Sequence, residues 1–285
     1  MYAVVGGLLG GVLGTVFVVC ITSIIKAFLG WVMRQEDWVT LAAPFAGITL
    51  SAVLLYSFAQ GRAKQQIEGD EAVPRSFRAW LRTPSNALRA DLTGDVVRAA
   101  GQEETFPWRL APLRALAIIF TVGMGAPMGT ESPAAHLGVA AGAWIGSTKS
   151  WLRRLVRPAA ISGGAAGIAV LMGLPLVGLV FMLELGHRNR APISLLRTLA
   201  ASCGVLIGWV VNVTFQLDFI RLVVPSVGPQ SFSQALALAL LVGVASGALG
   251  SSMGAAIYRA RRWTSRPLIK VLLGGLALLG CILMI

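Results

Sequence analysis

Glu131 and Glu184 are the only acidic residues between Glu104 and Asp218. Glu131 stands in Gly123-Met-Gly-Ala-Pro-Met-Gly-Thr-Glu-Ser-Pro133, which joins two apolar stretches. A carboxylate at membrane depth is costly unless it is paired, protonated or facing a water-filled path, so its presence there points to a route for ions or protons. Ser132-Pro133 fits a helix start, because Pro at the first helical position loses no hydrogen bond and Ser or Thr caps just before it. Glu131 then lies one residue ahead of a helix whose backbone N–H groups could hold an anion. Ionised, the carboxylate competes with the anion for the same positive end; protonated, it leaves the site open. One carboxyl could thus be both gate and proton carrier. The plainer alternative is a carboxylate that caps its helix or pairs with a nearby base. His136, five residues on, either joins such a path or is packed as a neutral ring. Glu184 either relays protons from the cytoplasm or is hydrogen-bonded between helices.

The elements that must position these groups are membrane helices. Of the 285 residues, 56% are hydrophobic and 13% charged, with a mean hydropathy of +0.75. Apolar runs at 3–28, 39–59, 113–145, 159–185, 195–215, 235–258 and 268–285 approach or exceed the ~20 residues of a bilayer crossing. The first run lacks a basic leader, so it reads as a retained helix rather than a signal peptide. The net charge of +12 is topological and does not indicate nucleic-acid binding. Residues 61–114 hold nine Lys/Arg, 149–157 four, 188–197 three and 259–270 five, whereas the connections near Arg34 and Arg221 hold one each. Basic loops face the cytoplasm and an anionic inner leaflet.

This topology places basic loops on both sides of 115–147 and of 159–185. Each run must return to the side it left, yet 33 and 27 residues fall short of the ~40 needed for two crossings. Both read as broken, partly re-entrant helix pairs. Break points are expected at Gly125-Ala-Pro127, at Gly129 through Pro133, and at Met172-Gly-Leu-Pro175. Irregular backbone at this depth is tolerated where it is buried in protein or lines an aqueous cavity, and such half-helices aim positive ends at anionic substrates.

Gly129-Thr-Glu-Ser-Pro133 resembles the Gly-Lys/Arg-Glu-Gly-Pro signature of the CLC family of voltage-gated chloride channels and chloride–proton antiporters, and His136-Leu-Gly138 continues the likeness. Downstream, Ser162-Gly-Gly-Ala-Ala-Gly-Ile-Ala169 followed by Gly173-Leu-Pro-Leu-Val-Gly-Leu-Val-Phe181 and Glu184 is similar to the family's second glycine-rich segment. The resemblance implies an all-α integral membrane protein of tilted and re-entrant helices, the first half of an inverted-repeat fold extending over 1–285. It implies transport of chloride or a similar small anion in the bacterial inner (plasma) membrane, by a homodimer surrounded by lipid, without cofactor or metal. Glu131 takes the place of the gating glutamate, and Gly129, Thr130, Ser132 and Pro133 help form the anion site. The family's Gly-Ser-Gly-Ile-Pro motif should fall near Gly61, where Arg62 stands in place of the anion-coordinating Ser. Arg62 supplies charge to an anion entrance or belongs to the solvated basic loop. Leu185 replaces the second residue of the family's Glu pair, which implies conduction without stoichiometric proton exchange. The second-half helix start and pore tyrosine have no counterpart, so the chain is expected to be a fragment or a half-subunit that needs a complementary chain.

The remaining features are structural. Residues 61–111 read as a polar cytoplasmic loop with short helices. Cys20, Cys203 and Cys281 lie in apolar runs as packing residues, and Trp31, Trp38, Trp80, Trp108, Trp151 and Trp263 form an aromatic belt. Gly and Ala in 5–14, 138–146 and 243–255 read as close helix packing. Two other readings compete with transport. A membrane-embedded enzyme using Glu131 and His136 as acid and base lacks a nucleophile or metal set, and the chain could instead be a non-conducting subunit.

Overall fold

The computed structural model describes residues 1–63, 92–100, 106, 108, 111–126, 128–147, 150–188, 192–217, 219 and 231–263. All regular structure among the described residues is helical. The elements are α1 (Tyr2–Val32), α2 (Asp37–Ala63), α3 (Leu92–Ala100), α4 (Ala111–Gly123), α5 (Glu131–Ser147), a 3₁₀ turn (Ser150–Leu155), α6 (Val156–Met172), α7 (Pro175–Arg188), α8 (Leu195–Phe215) and α9 (Phe232–Trp263). One compact unit comprises 1–70 and 88–221 and holds α1 to α8; a second comprises 71–87 and 222–285 and holds α9.

Five helical segments among the described residues are long and apolar enough to cross a membrane: Tyr2–Val32, Asp37–Leu54, Leu152–Met172, Leu195–Phe215 and Phe232–Met253. The runs expected at 113–145 and 159–185 are each split. Their short members, α4 with 13 residues and α7 with 14, reach only ~20 Å against the ~30 Å of a hydrocarbon core. The apolar run 268–285 lies outside the described residues.

Both splits have identifiable causes. After α4 the chain turns through Gly125 at φ 89°, with Ala126 N–H donating to Thr121 O and Gly125 N–H to Val122 O, each at 3.0 Å. This pair of bonds ends a helix through a left-handed residue that glycine adopts without strain. After α6, Gly173 at φ 67° donates its N–H to Ala169 O at 2.9 Å, and Pro175 opens α7 where no amide hydrogen is needed. The end of α6 is also closed from outside. Asn212 of α8 donates through Nδ2 to Val170 O at 2.7 Å, taking up a carbonyl that α6 itself leaves unpaired.

The α6 helix is the axis of the first unit, and every residue from Ala159 to Leu171 is buried. Glycines set the spacing around it. On α1, Gly6, Gly10 and Gly14 face Pro158, Ala159 and Gly163 of α6, while Gly7 and Gly11 face Ala200 and Gly204 of α8. On α5, Gly138 and Gly142 meet the backbone of Gly163 and Ala159. Small residues let helix backbones approach where lipid removes the hydrophobic drive for association. Ser162 sits at the junction of α1, α6 and α8 and donates its hydroxyl to Gly7 O at 2.5 Å. These pairings also fix direction: α1 and α8 run parallel to α6, and α5 runs antiparallel to it. The large apolar residues are outside. Leu8, Val12 and Val16 of α1 and Leu196, Leu206 and Val210 of α8 are exposed, as suits helices solvated by lipid. Among the described residues, a Cβ at Gly243, Gly247 or Gly250 of α9 meets nothing within 4 Å.

Part of the 61–111 segment packs into the core. Helix α2 continues to Ala63, residues 64–91 lie outside the described residues, and α3 buries Val96, Ala99 and Ala100 beside Phe106.

Candidate functional site

The antiparallel pairing of α5 and α6 puts Ala134 against Gly167, Gly138 against Gly163 and Gly142 against Ala159. Continued by one turn, this register sets Glu131 level with Val170, just before the α6 break. The end of α6 and the starts of α5 and α7 thus lie at one level of the bundle. There the two apolar stretches are interrupted and two helices present their positive N-terminal ends.

Helix α5 begins earlier than the sequence suggests. Thr130 O accepts the first intrahelical bond, from Ala134 N–H at 2.9 Å, so Thr130 is the flanking residue and Glu131 the first helical one. Pro133 occupies the third position rather than the first, which is equally free of cost because no first-turn N–H has an intrahelical acceptor. The half-buried Glu131 side chain folds back along the loop. A Cβ placed on Gly129 would lie 2.8 Å from Glu131 Oε2, so Gly129 is the residue that leaves room for the carboxylate. Among the described residues Glu131 has no hydrogen-bond or ion-pair partner. An acceptor-only group thus stands at a positive helix end with its approach bounded by glycine.

A second polar cluster lies on the same helix. Arg114 of α4 reaches Asp95 Oδ2 of α3 through Nη1 at 2.5 Å, and the same nitrogen lies 3.3 Å from His136 Nε2 of α5. His136 Nδ1 is 3.4 Å from Leu92 O, and its ring stacks tilted on Phe106 with centroids 4.9 Å apart. Because guanidinium only donates, His136 Nε2 must accept and Nδ1 must carry the proton toward Leu92 O. His136 is wholly buried, and this arrangement is the packed alternative among those the sequence left open.

Glu184 does not join Glu131. It is exposed on α7, nine residues after Pro175 and therefore ~14 Å along the helix from the break, while the following Leu185 is buried. Arg62 lies in the last turn of α2 rather than in a loop. Thr130 and Ser132 flank Glu131 as expected, each half-buried.

Sequence reasoning missed Asp95, Arg114 and Asn212 as partners. Asp95 and Arg114 were part of an overall charged segment whose helical pattern, Leu92, Val96, Ala99 and Ala100, was the available signal. Asn212 carried no signal, since its role depends on where α8 docks.

Comparison with known proteins agrees with this architecture. A sequence model of the family described as voltage gated chloride channel matches residues 93–285, so Arg62 precedes the matched region. The H(+)/Cl(-) exchange transporter ClcA of Yersinia pestis is 28% identical over 183 residues, covering 59% of this chain and 37% of that protein. The ClcA proteins of Yersinia pseudotuberculosis serotype O:3 (strain YPIII) and serotype IB (strain PB1/+) match to the same extent. The match therefore spans little more than a third of the length of these curated relatives.

Proposed function

The chain belongs to the voltage-gated chloride channel family, and from that premise we propose that it moves chloride or a similar small anion across a bacterial inner membrane with Glu131 as the gate. The observation that carries the reading is the Glu131 carboxylate folded over Gly129 at the positive start of α5, level with the α6 break. Backbone around Gly129, Thr130, Ser132 and Pro133 would line the anion site. The ionised carboxylate occupies the place an anion needs, and protonation removes its charge and releases the site. Flux should therefore rise as pH falls. The relatives named above are H(+)/Cl(-) exchangers, which supports chloride as the ion. The homodimer and the complementary second-half chain that the resemblance implies are part of the proposal.

The test is anion flux in liposomes holding the assembled protein as purified from membranes. Glu131→Gln, which mimics the protonated carboxyl, should give flux that no longer varies with pH. Unchanged pH dependence in a well-folded Glu131→Gln protein would overturn the gating role.

A further inference from the structure

Gly129 differs from the other contact glycines of the first unit in what its missing side chain leaves free. A Cβ at Gly10, Gly138 or Gly142 would run into the backbone of α6, and Gly125 and Gly173 hold φ values of 89° and 67°. Those glycines are required by packing or by conformation. Neither reason applies at Gly129. It lies outside any helix, and its φ is not positive. Among the described residues, the atoms that a Cβ there would meet within 4 Å belong to the Glu131 side chain, with Oε2 at 2.8 Å and Cδ at 4.0 Å. An alanine methyl would therefore displace the far end of a flexible side chain and leave the backbone in place.

Bare backbone at such a position serves either a ligand that must approach closely or the group that fills the space. The group that fills it here is the carboxylate. We propose that Gly129 is a positioning residue for the gate: its bare Cα is the seat on which the ionised Glu131 carboxylate rests, and the fit of that seat sets the pH at which the gate opens. This inference rests on the gating role of Glu131 and names what regulates it. Filling the seat withdraws support from the ionised form, so protonation, and with it opening, occurs at higher pH.

Other titratable groups stand near this level. The pairing of Gly10 with Ala159 and Gly14 with Gly163 sets Ile21 of α1 beside Val170 and Glu131, so Cys20 and Lys26 are the α1 groups closest along the chain. On α4, Arg114 is held by Asp95 of α3 and lies beside His136, five residues further along α5. Helix α6 has no titratable residue after Arg157, which with Arg153 and Arg154 stands at its opposite end, ~20 Å from Val170. A shift that originated in any of these groups would persist once Glu131 is replaced by Gln.

The experiment is anion flux against pH in liposomes holding the assembled protein, for the unsubstituted chain, Gly129→Ala, Glu131→Gln and the double variant. Gly129→Ala should raise the pH of half-maximal flux by about one unit, a tenfold weaker hold on the ionised form. Added to Glu131→Gln, the same alanine should leave flux independent of pH and within about twofold of Glu131→Gln alone. Glu131→Asp is the second test, because it keeps the charge and draws the carboxylate back from the seat. Its midpoint should rise as well. An unmoved midpoint in Gly129→Ala, with pH dependence still lost in Glu131→Gln, overturns the inference and leaves the gating role standing. An alanine that lowers flux equally at every pH in both backgrounds overturns it too, by assigning the bare Cα to the anion. If Gly129→Ala fails to assemble, Glu131→Asp decides, and an unmoved midpoint there overturns the inference. Dependence on pH that persists in Glu131→Gln removes the gate itself, and the role of Gly129 with it.

Discussion

Arg114 Nη1 lies 3.3 Å from His136 Nε2 and 2.5 Å from Asp95 Oδ2, so one buried guanidinium ties α3 and α4 to the helix that carries Glu131. Ion pairs of this kind contribute little net stability when intact, but removing one partner strands the other charge without water. Asp95→Asn should cost about 3–5 kcal/mol. The double substitution Asp95→Leu/Arg114→Met should recover most of that loss. Thermal unfolding in detergent reads both, and equal losses would show that the pair is not what holds α3 in place.

The same cluster marks where sequence reading stopped. Residues 61–111 read as polar loop because their charges dominate any window average, and Arg114 entered only as one of the nine basic residues of 61–114. Only the docking of α3 pairs it with Asp95, and the pairing makes a charged segment buriable. Both helix breaks, by contrast, were legible, because glycine and proline at Gly125 and Gly173-Leu-Pro175 act through local backbone preference. The start of α5 was misplaced by two residues, since Pro133 is tolerated anywhere in a first turn and does not mark its beginning. Glu131 was found by the cost of a carboxylate at membrane depth, whereas its contact with Gly129 required the side-chain rotamer.

The glycine stripes on α1 should be far less tolerant than those on α9. A Cβ on Gly10 runs into the backbone of Ala159, which cannot yield without moving α6. Gly10→Ala should therefore destabilise by about 1–3 kcal/mol through overpacking. Gly247→Ala meets nothing among the described residues and gains helix propensity, so it should be neutral or stabilising by up to ~1 kcal/mol. Unfolding midpoints of the two variants, measured side by side, check the contrast; equal midpoints would contradict it.

Asn212 spans two chain ends, donating to Val170 O at 2.7 Å and to Leu217 O at 2.9 Å. Asn212→Leu keeps the approximate volume and removes both donors. It should cost about 1–3 kcal/mol, the penalty for a carbonyl left unpaired in a half-buried site. Amide exchange should rise first around Gly173, where α6 ends. Acceleration spread evenly over α8 instead would locate the effect in α8 packing.

Coupling depends on what occupies the end of α7 away from the break. Leu185 is 6% exposed and has no titratable atom, while its neighbour Glu184 points to the exposed side of α7. Leu185 itself cannot carry a proton entering from that end toward Glu131, which stands ~12 Å away along the bundle axis. Under the proposed function, the assembled protein should therefore pass anions down their gradient without driving protons uphill. The measurement is luminal pH in liposomes under an imposed chloride gradient. Uphill proton movement that disappears in Glu184→Gln would show that Glu184 had taken over the relay from its exposed position. Uphill movement that persists in Glu184→Gln would mean that protons reach Glu131 by a path that bypasses α7.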